Sequence, residues 1–285
     1  MKRLENKIAL ITGGATGIGE AICKKFVKEG AKIMIAGTPQ DPVREVCESI
    51  NNNEGTAIYY EGDLSQAKDA IACIKQTTDE YGQLDILVNN AGVFPEVSEL
   101  TEYEDELFDN MLKNNLRTAY MMSKHALPEL HKTRGNIVSA GSEAGHVGIA
   151  KNTPYGGTKG FMHAFMKGLA VEQAAYGVRV NCVCPGAIDT AWTHKETSGM
   201  DDQMEQMLKS ATPMGRRGTA EEIANVYAFV ASDEASFVTG ALYYVDGGIT
   251  ISKGPNGEQA HESMKKPPKG ELNLEHIHEG ATEAR

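Results

Sequence analysis

"IALITGGATGIGEAI" occupies residues 8–22, and its reading decides the fold. Ile8–Thr12 is an apolar run ended by threonine, the pattern of a short strand buried on both faces of a sheet. The glycine-rich "TGGATGIG" at 12–19 follows without a gap and opens into "GEAICKKFVKEGA", whose apolar residues recur at helical spacing. Strand, glycine loop and helix in that order form a phosphate-binding unit. Gly13 permits the tight turn, while Gly17 and Gly19 let the backbone approach a pyrophosphate and let the helix pack closely on the sheet. The helix N-terminus then offers unpaired N–H groups and a partial positive charge to the anion.

The same alternation continues along the chain. Short β-rich runs are expected at Ile8–Thr12, Lys32–Ala36, Thr56–Tyr60, Leu84–Asn89, Asn136–Ser139, Val178–Cys184 and Leu242–Val245. Helical stretches such as "AKDAIACIKQTTDEYG" and "KGFMHAFMKGLAVEQAAYG" lie between them, and Gly30, Gly82 and Gly177 stand where helices should stop. Unbroken alternation predicts an α/β fold: a single Rossmann-like doubly wound domain, with a mostly parallel seven-stranded sheet and helices on both faces. The domain is expected to span 1–252. From Lys253 the composition turns to Gly, Pro, Lys, Glu and His, so 253–285 is expected to be a polar tail, flexible or an extended arm.

With 285 residues, 41% apolar and 24% charged, the chain has the composition of a globular protein. Its net charge of −11 argues against non-specific binding to nucleic acid or to an anionic membrane. No stretch approaches the ~18 apolar residues of a membrane span, and the N-terminus does not read as a signal peptide, so a cytoplasmic location is expected. Five cysteines, an odd number without a C-x-x-C pair, argue against a disulfide framework or a zinc site. "HIH" at 276–278 is the other metal-like spacing, but in a polar tail it carries little weight. No metal is expected.

The glycine spacing is T-G-x-x-x-G-x-G, and further motifs follow in order: "NNAG" at 89–92, "NNL" at 114–116, "GNIVSAGSEAG" from 135, "YGGTK" at 155–159, "VRVNCVCPGAIDT" ending at Thr190, and "VTGALYYVDGG" near the end. From about Leu4 to Ile251 the chain thereby resembles the single-domain branch of the short-chain dehydrogenase/reductase family. The resemblance implies an NAD(P)-dependent oxidoreductase that moves hydride reversibly between the nicotinamide and a carbonyl or secondary alcohol. It also implies a homotetramer or homodimer.

Carbonyl reduction needs a proton donor for the developing alkoxide and a group that orients the oxygen. A phenol is a weak acid–base group at neutral pH, and a fixed cation beside it favours the phenolate. Tyr155 and Lys159 are four residues apart, so on a helix they share a face about 6 Å apart along the axis. The resemblance implies that Tyr155 is the general acid/base and that Ser142 hydrogen-bonds the substrate oxygen. It makes Asn115 the fourth catalytic member, with Asn114 its rival, and gives Lys159 the cofactor ribose as well. The family usually has Ser-Ser where this chain has Gly141-Ser142.

For the cofactor, the resemblance implies contacts from Gly13, Thr16, Gly17, Ile18, Gly19, Asp63, Leu64, Asn90, Ala91, Gly92, Tyr155, Lys159, Pro185, Gly186, Ile188 and Thr190, with Asn89 mainly holding the central strand. Preference is set at the end of the second strand, where an acid accepts from the adenosine 2′-OH and repels a 2′-phosphate. Gly37 stands there, followed by Thr38, so the balance leans slightly to NADP(H) over NAD(H). Arg44 is within plausible reach of a phosphate, whereas Asp41 could supply the missing acid and reverse the lean. Residues 187–218, with Trp192 and Met200, Met204 and Met207, form the expected substrate cover. Phe94, Glu143, His146 and Trp192 are candidate pocket walls. Two other readings are a non-catalytic NAD(P)-binding sensor or scaffold and a nucleotide-sugar epimerase or dehydratase. The first should lack the Ser/Tyr/Lys/Asn set, and the second should carry T-G-x-x-G-x-x-G and a separate substrate domain. This chain meets neither condition.

Overall fold

The computed structural model describes residues 2–191, 193–194 and 200–268. Strands β1 (Ile8–Thr12), β2 (Lys32–Gly37), β3 (Ala57–Glu61), β4 (Ile86–Asn89), β5 (Asn136–Ala140) and β6 (Arg179–Pro185) alternate with helices α1 (Gly17–Lys28), α2 (Val43–Asn52), α3 (Ala67–Tyr81), α4 (Asp105–Met111), α5 (Thr118–Thr133) and α6 (Thr153–Gln173). Then come β7 (Ile188–Asp189), α7 (Asp202–Ala211), β8 (Gly218–Thr219), α8 (Ala220–Ala231), β9 (Leu242–Val245) and a helical turn, α9 (Glu262–Lys265). The main sheet has seven strands in the order β3-β2-β1-β4-β5-β6-β9. All of its neighbours are parallel. This is the expected doubly wound architecture, and the order reverses between β1 and β4, where such folds bind ligands.

Strand alternation distributes the core over two faces. Ala9, Ile11, Ile33, Ile35, Val88 and Val183 pack with Ile22 and Phe26 of α1 and with Ile223 and Tyr227 of α8. Leu10, Met34, Leu87, Ile137, Val180, Cys182 and Cys184 pack on the other side with Cys73, Met122, Met162 and Met166. Burial on both sides explains why these strands read as continuous apolar runs. β4 begins at Ile86, two residues later than expected, because Asp85 turns its carboxylate to accept the Ile8 N–H at 2.8 Å.

Two segments shape the site. Residues Leu112–Arg117 form a π-helical stretch that joins α4 to α5. Beyond the sheet, β7 and β8 make a separate two-stranded parallel ribbon, which the sequence did not suggest. The C-terminal stretch up to residue 268 is structured: Asn256–Gln259 and α9 fold back, Gly257 is buried, and Arg216 Nε donates to the Met264 carbonyl at 3.1 Å. Among the described residues no helix is long and apolar enough to cross a membrane. Trp192 and the 276–278 histidines lie outside the described residues.

Candidate active site

The glycine loop is fastened to the loop after β4. Thr12 Oγ1 donates to the Val88 carbonyl and accepts from the Asn90 and Ala91 amides, both at 3.1 Å. Asn90 Nδ2 donates to the Gly13 carbonyl at 3.0 Å. Gly13 has φ +59°, and a Cβ there would stand 2.9 Å from Ala91 Cα. A Cβ on Gly19 would fall 1.9 Å from the Gly13 carbonyl oxygen. Gly17, at φ +49°, faces only Thr190, at 3.5 Å or more. The loop is thus a cradle of bare backbone at the start of α1, with Thr16 as the extended N-cap residue and Ile18 partly buried in the first turn. Bare backbone at a helix N-terminus is a setting in which a phosphate can be held.

At the other side of the sheet end, Tyr155 and Lys159 lie in the first turns of α6, where Pro154 fits the helix start. Lys159 Nζ is 5.4 Å from the Tyr155 ring centroid and donates to the Ala140 carbonyl at 3.1 Å. Asn115 is in the π-helical stretch, which turns it inward. Its Oδ1 accepts the Val93 amide at 2.7 Å, and its Nδ2 donates to the Val93 carbonyl at 3.0 Å. Asn114 is instead engaged with Asn110. A Cβ on Gly92 would lie 3.1 Å from Asn115 Oδ1 and 3.9 Å from Lys159 Nζ, so the backbone after β4 passes close to both side chains. Ser142, buried and extended, accepts the Ala144 amide on its Oγ at 3.2 Å.

Gly156 owes its place to this loop. A Cβ there would approach the Ala144 carbonyl oxygen to 2.9 Å, whereas one on Gly157 meets nothing within 4 Å. Gly141 has a different cause: a Cβ would stand 2.6 Å from Cys184 Sγ, 2.7 Å from His163 Nε2 and 2.8 Å from Cys182 Sγ. The serine usual in the family would not fit here. His163 Nε2 shares a 3.3 Å contact with Cys184 Sγ and lies 3.5 Å from the Ser142 amide nitrogen. The hydrogen bond from Cys182 holds the Cys184 thiol below its ordinary pKa and raises Cys182 in turn.

The remaining expected residues surround this frame. Phe94 meets Tyr155 edge-on, with ring centroids 4.8 Å apart. Asp63 accepts Ser65 and pairs with Lys113 at 2.9 Å; partial burial raises its carboxyl, but these partners outweigh it and hold it below the usual value. Leu64 is buried. Asn89 ties β4 to Ser123 and Ser139. Pro185 ends β6, the Gly186 amide donates to Val245, and Ile188 is in β7. At the end of β2, Gly37 is packed under Asp41: a Cβ would be 2.7 Å from Asp41 Oδ2, the oxygen that accepts both the Thr38 amide and hydroxyl. Arg44 lies over the Tyr59 ring. His146 is tilted against Tyr244.

Two features go beyond the sequence reading, one of them at Glu143, expected only as a pocket wall. Glu143 is nine-tenths buried, and its Oε2 has no hydrogen-bond partner among the described residues. Burial, and then the nearby Asp246 carboxylate, push it up to about 7. Arg217, also buried, reaches Asp189 Oδ1 and Glu205 Oε2, both at 3.1 Å, and the Ile188 carbonyl at 2.6 Å. The only sequence signal for the latter was an arginine pair, Arg216-Arg217, in an otherwise weakly charged stretch.

Comparison with known proteins agrees with this frame. A family model described as Enoyl-(Acyl carrier protein) reductase matches residues 13–250. The chain is 36% identical to an uncharacterized oxidoreductase, YxbG, of Bacillus subtilis, over 94% of this chain and all of the relative. It is 34% identical to L-fucose dehydrogenase of Oryctolagus cuniculus (89% of this chain, 88% of the relative) and 35% identical to 3-oxoacyl-[acyl-carrier-protein] reductase FabG of Salmonella typhimurium (86% and 98%). A crystal structure of gox2181 superposes with a TM-score of 0.83 at 27% identity, covering 88% of this chain and 98% of that one. The chain belongs to the short-chain dehydrogenase/reductase family and is an oxidoreductase enzyme. Members of this family use NAD(P)(H) and act on small molecules.

Proposed function

We propose that the protein transfers hydride reversibly between a nicotinamide cofactor and a carbonyl or secondary alcohol, with Tyr155 as general acid/base. The observation that carries the reading is that Lys159 Nζ lies beside the Tyr155 ring and faces the space above Gly92, next to the Val93 backbone that Asn115 holds. When bound, the nicotinamide supplies or accepts the hydride. Tyr155 gives its phenolic proton to the forming alkoxide in reduction and takes it back in oxidation. The Ser142 hydroxyl donates to the same substrate oxygen, so the developing charge meets fixed donors rather than reorganising water. Lys159 keeps the phenol beside a cation and holds the ribose; Asn115 holds the Val93 backbone and would hold the water that relays the Lys159 proton to solvent. Gly13, Thr16, Gly17, Ile18 and Gly19 would hold the pyrophosphate, Asp63 and Leu64 the adenine, Asn90–Gly92 and Pro185–Gly186 the cofactor flanks, and Ile188 and Thr190 the nicotinamide.

Against the slight lean to NADP(H) from the sequence, we favour NAD(H). The Asp41 carboxylate occupies the space into which a side chain at Gly37 would grow, and it already engages the Thr38 hydroxyl, the donor on which a 2′-phosphate would depend. A negative charge in that position accepts from a 2′-OH and repels a phosphate. The substrate is a small carbonyl or alcohol, and the assembly a homodimer or homotetramer in the cytoplasm.

The test is a panel of secondary alcohols, aldoses and 3-oxoacyl thioesters, followed through NAD(P)H absorbance with both cofactors. NAD(H) is expected to give the higher kcat/KM; a preference for NADP(H) would overturn the role given to Asp41. Tyr155→Phe should retain cofactor affinity and lose turnover, by at least about a hundredfold for removal of a general acid/base. Hydride transfer at an undiminished rate in that variant would sink the mechanism.

A further inference from the structure

Two thiol sulfurs and an imidazole nitrogen converge directly behind the Ser142 loop. Cys182 and Cys184 are two residues apart on β6, so both side chains leave the same face of the sheet. α6 packs across that face and brings in His163. The donor atoms of the three residues all lie within 4.8 Å of one another, and all three residues are buried. Around a single zinc ion, bonds of about 2.3 Å to sulfur and 2.0–2.1 Å to nitrogen space the donors by roughly 3.3–3.8 Å, and His163 Nε2 stands 3.3 Å from Cys184 Sγ.

Gly141 supplies the second observation. The point where its Cβ would be is nearly equidistant from the three donors, at 2.6, 2.7 and 2.8 Å. The apex of the donor triangle is therefore capped by bare backbone, and any side chain there would lie against all three donors. The charge arithmetic also suits the interior. Two thiolates and a neutral imidazole balance Zn2+ and leave no net charge to bury; with Cu+ the same balance needs one cysteine to remain a thiol. Softness selects thiophilic ions over magnesium or calcium.

We propose that His163, Cys182 and Cys184 bind one thiophilic d10 cation, Zn2+ or Cu+, at the back of the Ser142 loop. The site is separate from the Tyr155–Lys159 face but shares a backbone segment with it. Occupancy takes the Nε2 lone pair toward which the Ser142 amide points, so it links a metal to the support of that loop.

The test uses the full-length, reduced chain, stripped with a chelator and loaded with Zn2+ or, anaerobically, with chelator-buffered Cu+. One equivalent should survive gel filtration and raise Tm. X-ray absorption of the zinc-loaded protein should show two sulfur scatterers at about 2.3 Å. Retention should be lost in Cys182→Ser and Cys184→Ser and kept in His276→Ala/His278→Ala. Competition between the two ions under chelator control identifies the preferred one. Failure to retain either ion would overturn the proposal, as would a zinc shell of nitrogen and oxygen alone, or loss of binding in the tail variant. The absorption measurement is made on the wild type, so it decides the matter even where a serine variant fails to fold.

Discussion

The two sides of the site are built by different means. On the glycine-loop side, closeness comes from missing side chains: Gly13 against Ala91, Gly19 against Gly13, and Thr12 and Asn90 tying one backbone to the other. On the side of β7, β8 and α7, closeness comes from charge. Arg217 Nη1 reaches both Asp189 and Glu205, and Arg216 reaches Glu222 and the Met264 carbonyl. Steric fit of backbone tolerates almost no change, whereas ion pairs on partly exposed side chains keep most of their attraction over small displacements. Met204 and Met207 of α7 remain exposed, which suits a surface that adapts to apolar contacts.

The strongest way to break the comparison is at Gly19. Gly19→Ala places a Cβ inside the Gly13 carbonyl, and a displacement on the scale of an ångström costs about a hundredfold in kcat/KM. Cofactor titration and calorimetry on the variant check this; unchanged affinity would mean that the loop has slack. Next comes Arg217→Ala. It removes a shared partner from Asp189 and Glu205, which are partly exposed and keep His194 at 2.9 Å and Lys209 at 2.8 Å, so the cost is about 1 kcal/mol, below that of a fully buried pair. Substrate KM should rise while cofactor affinity stays within about threefold. A drop in cofactor affinity as large as the rise in substrate KM would erase the distinction between the two sides.

A finer test uses the adjacent glycines of α6. Gly157→Ala should stabilise the protein by up to about 1 kcal/mol through helix propensity, since nothing lies within 4 Å of its Cβ. Gly156→Ala gains the same propensity but pushes on the Ala144 carbonyl, so its Tm should not rise and its kcat should fall. Equal Tm gains would show that the Ser142 loop yields freely. The smallest effect is expected at Glu143, whose neighbours bridge the two sides. Its folded pKa of about 7 is above its ordinary value of 4.5. The protonated form is therefore favoured by folding: its contribution is full below about pH 4.5 and is lost as pH rises through about 7. Glu143→Gln should flatten the fall of Tm across that window, as read by melts at successive pH values.

Much of the frame was legible because it is written locally. β1 and β9 have the expected ends, and Gly30, Gly82 and Gly177 stop their helices at positive φ. Local apolar runs and glycines suffice for that. Asn115, Tyr155, Lys159 and Ser142 were singled out by motif, and the fold brings them to one end of the sheet. What was not legible depends on residues far apart in sequence. Glu143 meets Asp246 only because β5 and β9 both flank β6. His163 meets Cys182 and Cys184 only through helix-on-sheet packing, and the cysteine spacing alone had argued against a metal. The turn at Asn256–Gln259 depends on Gly257 fitting among the carbonyls of Lys209, Ser210 and Thr212, which composition does not reveal.

The π-helical stretch has a consequence for anyone redesigning this molecule. There the Thr118 amide bonds back to the Lys113 carbonyl, five residues earlier rather than four. One residue is thereby inserted into the ladder, and the segments before and after it are rotated relative to each other. The run from Asp105 to Thr133 looks like one long rod, but its two halves obey separate helical wheels. A surface pattern drawn continuously across it would place its second half on the wrong face. Asn115 faces inward because the phase slips there, so deleting a neighbour would move it while leaving its own codon untouched.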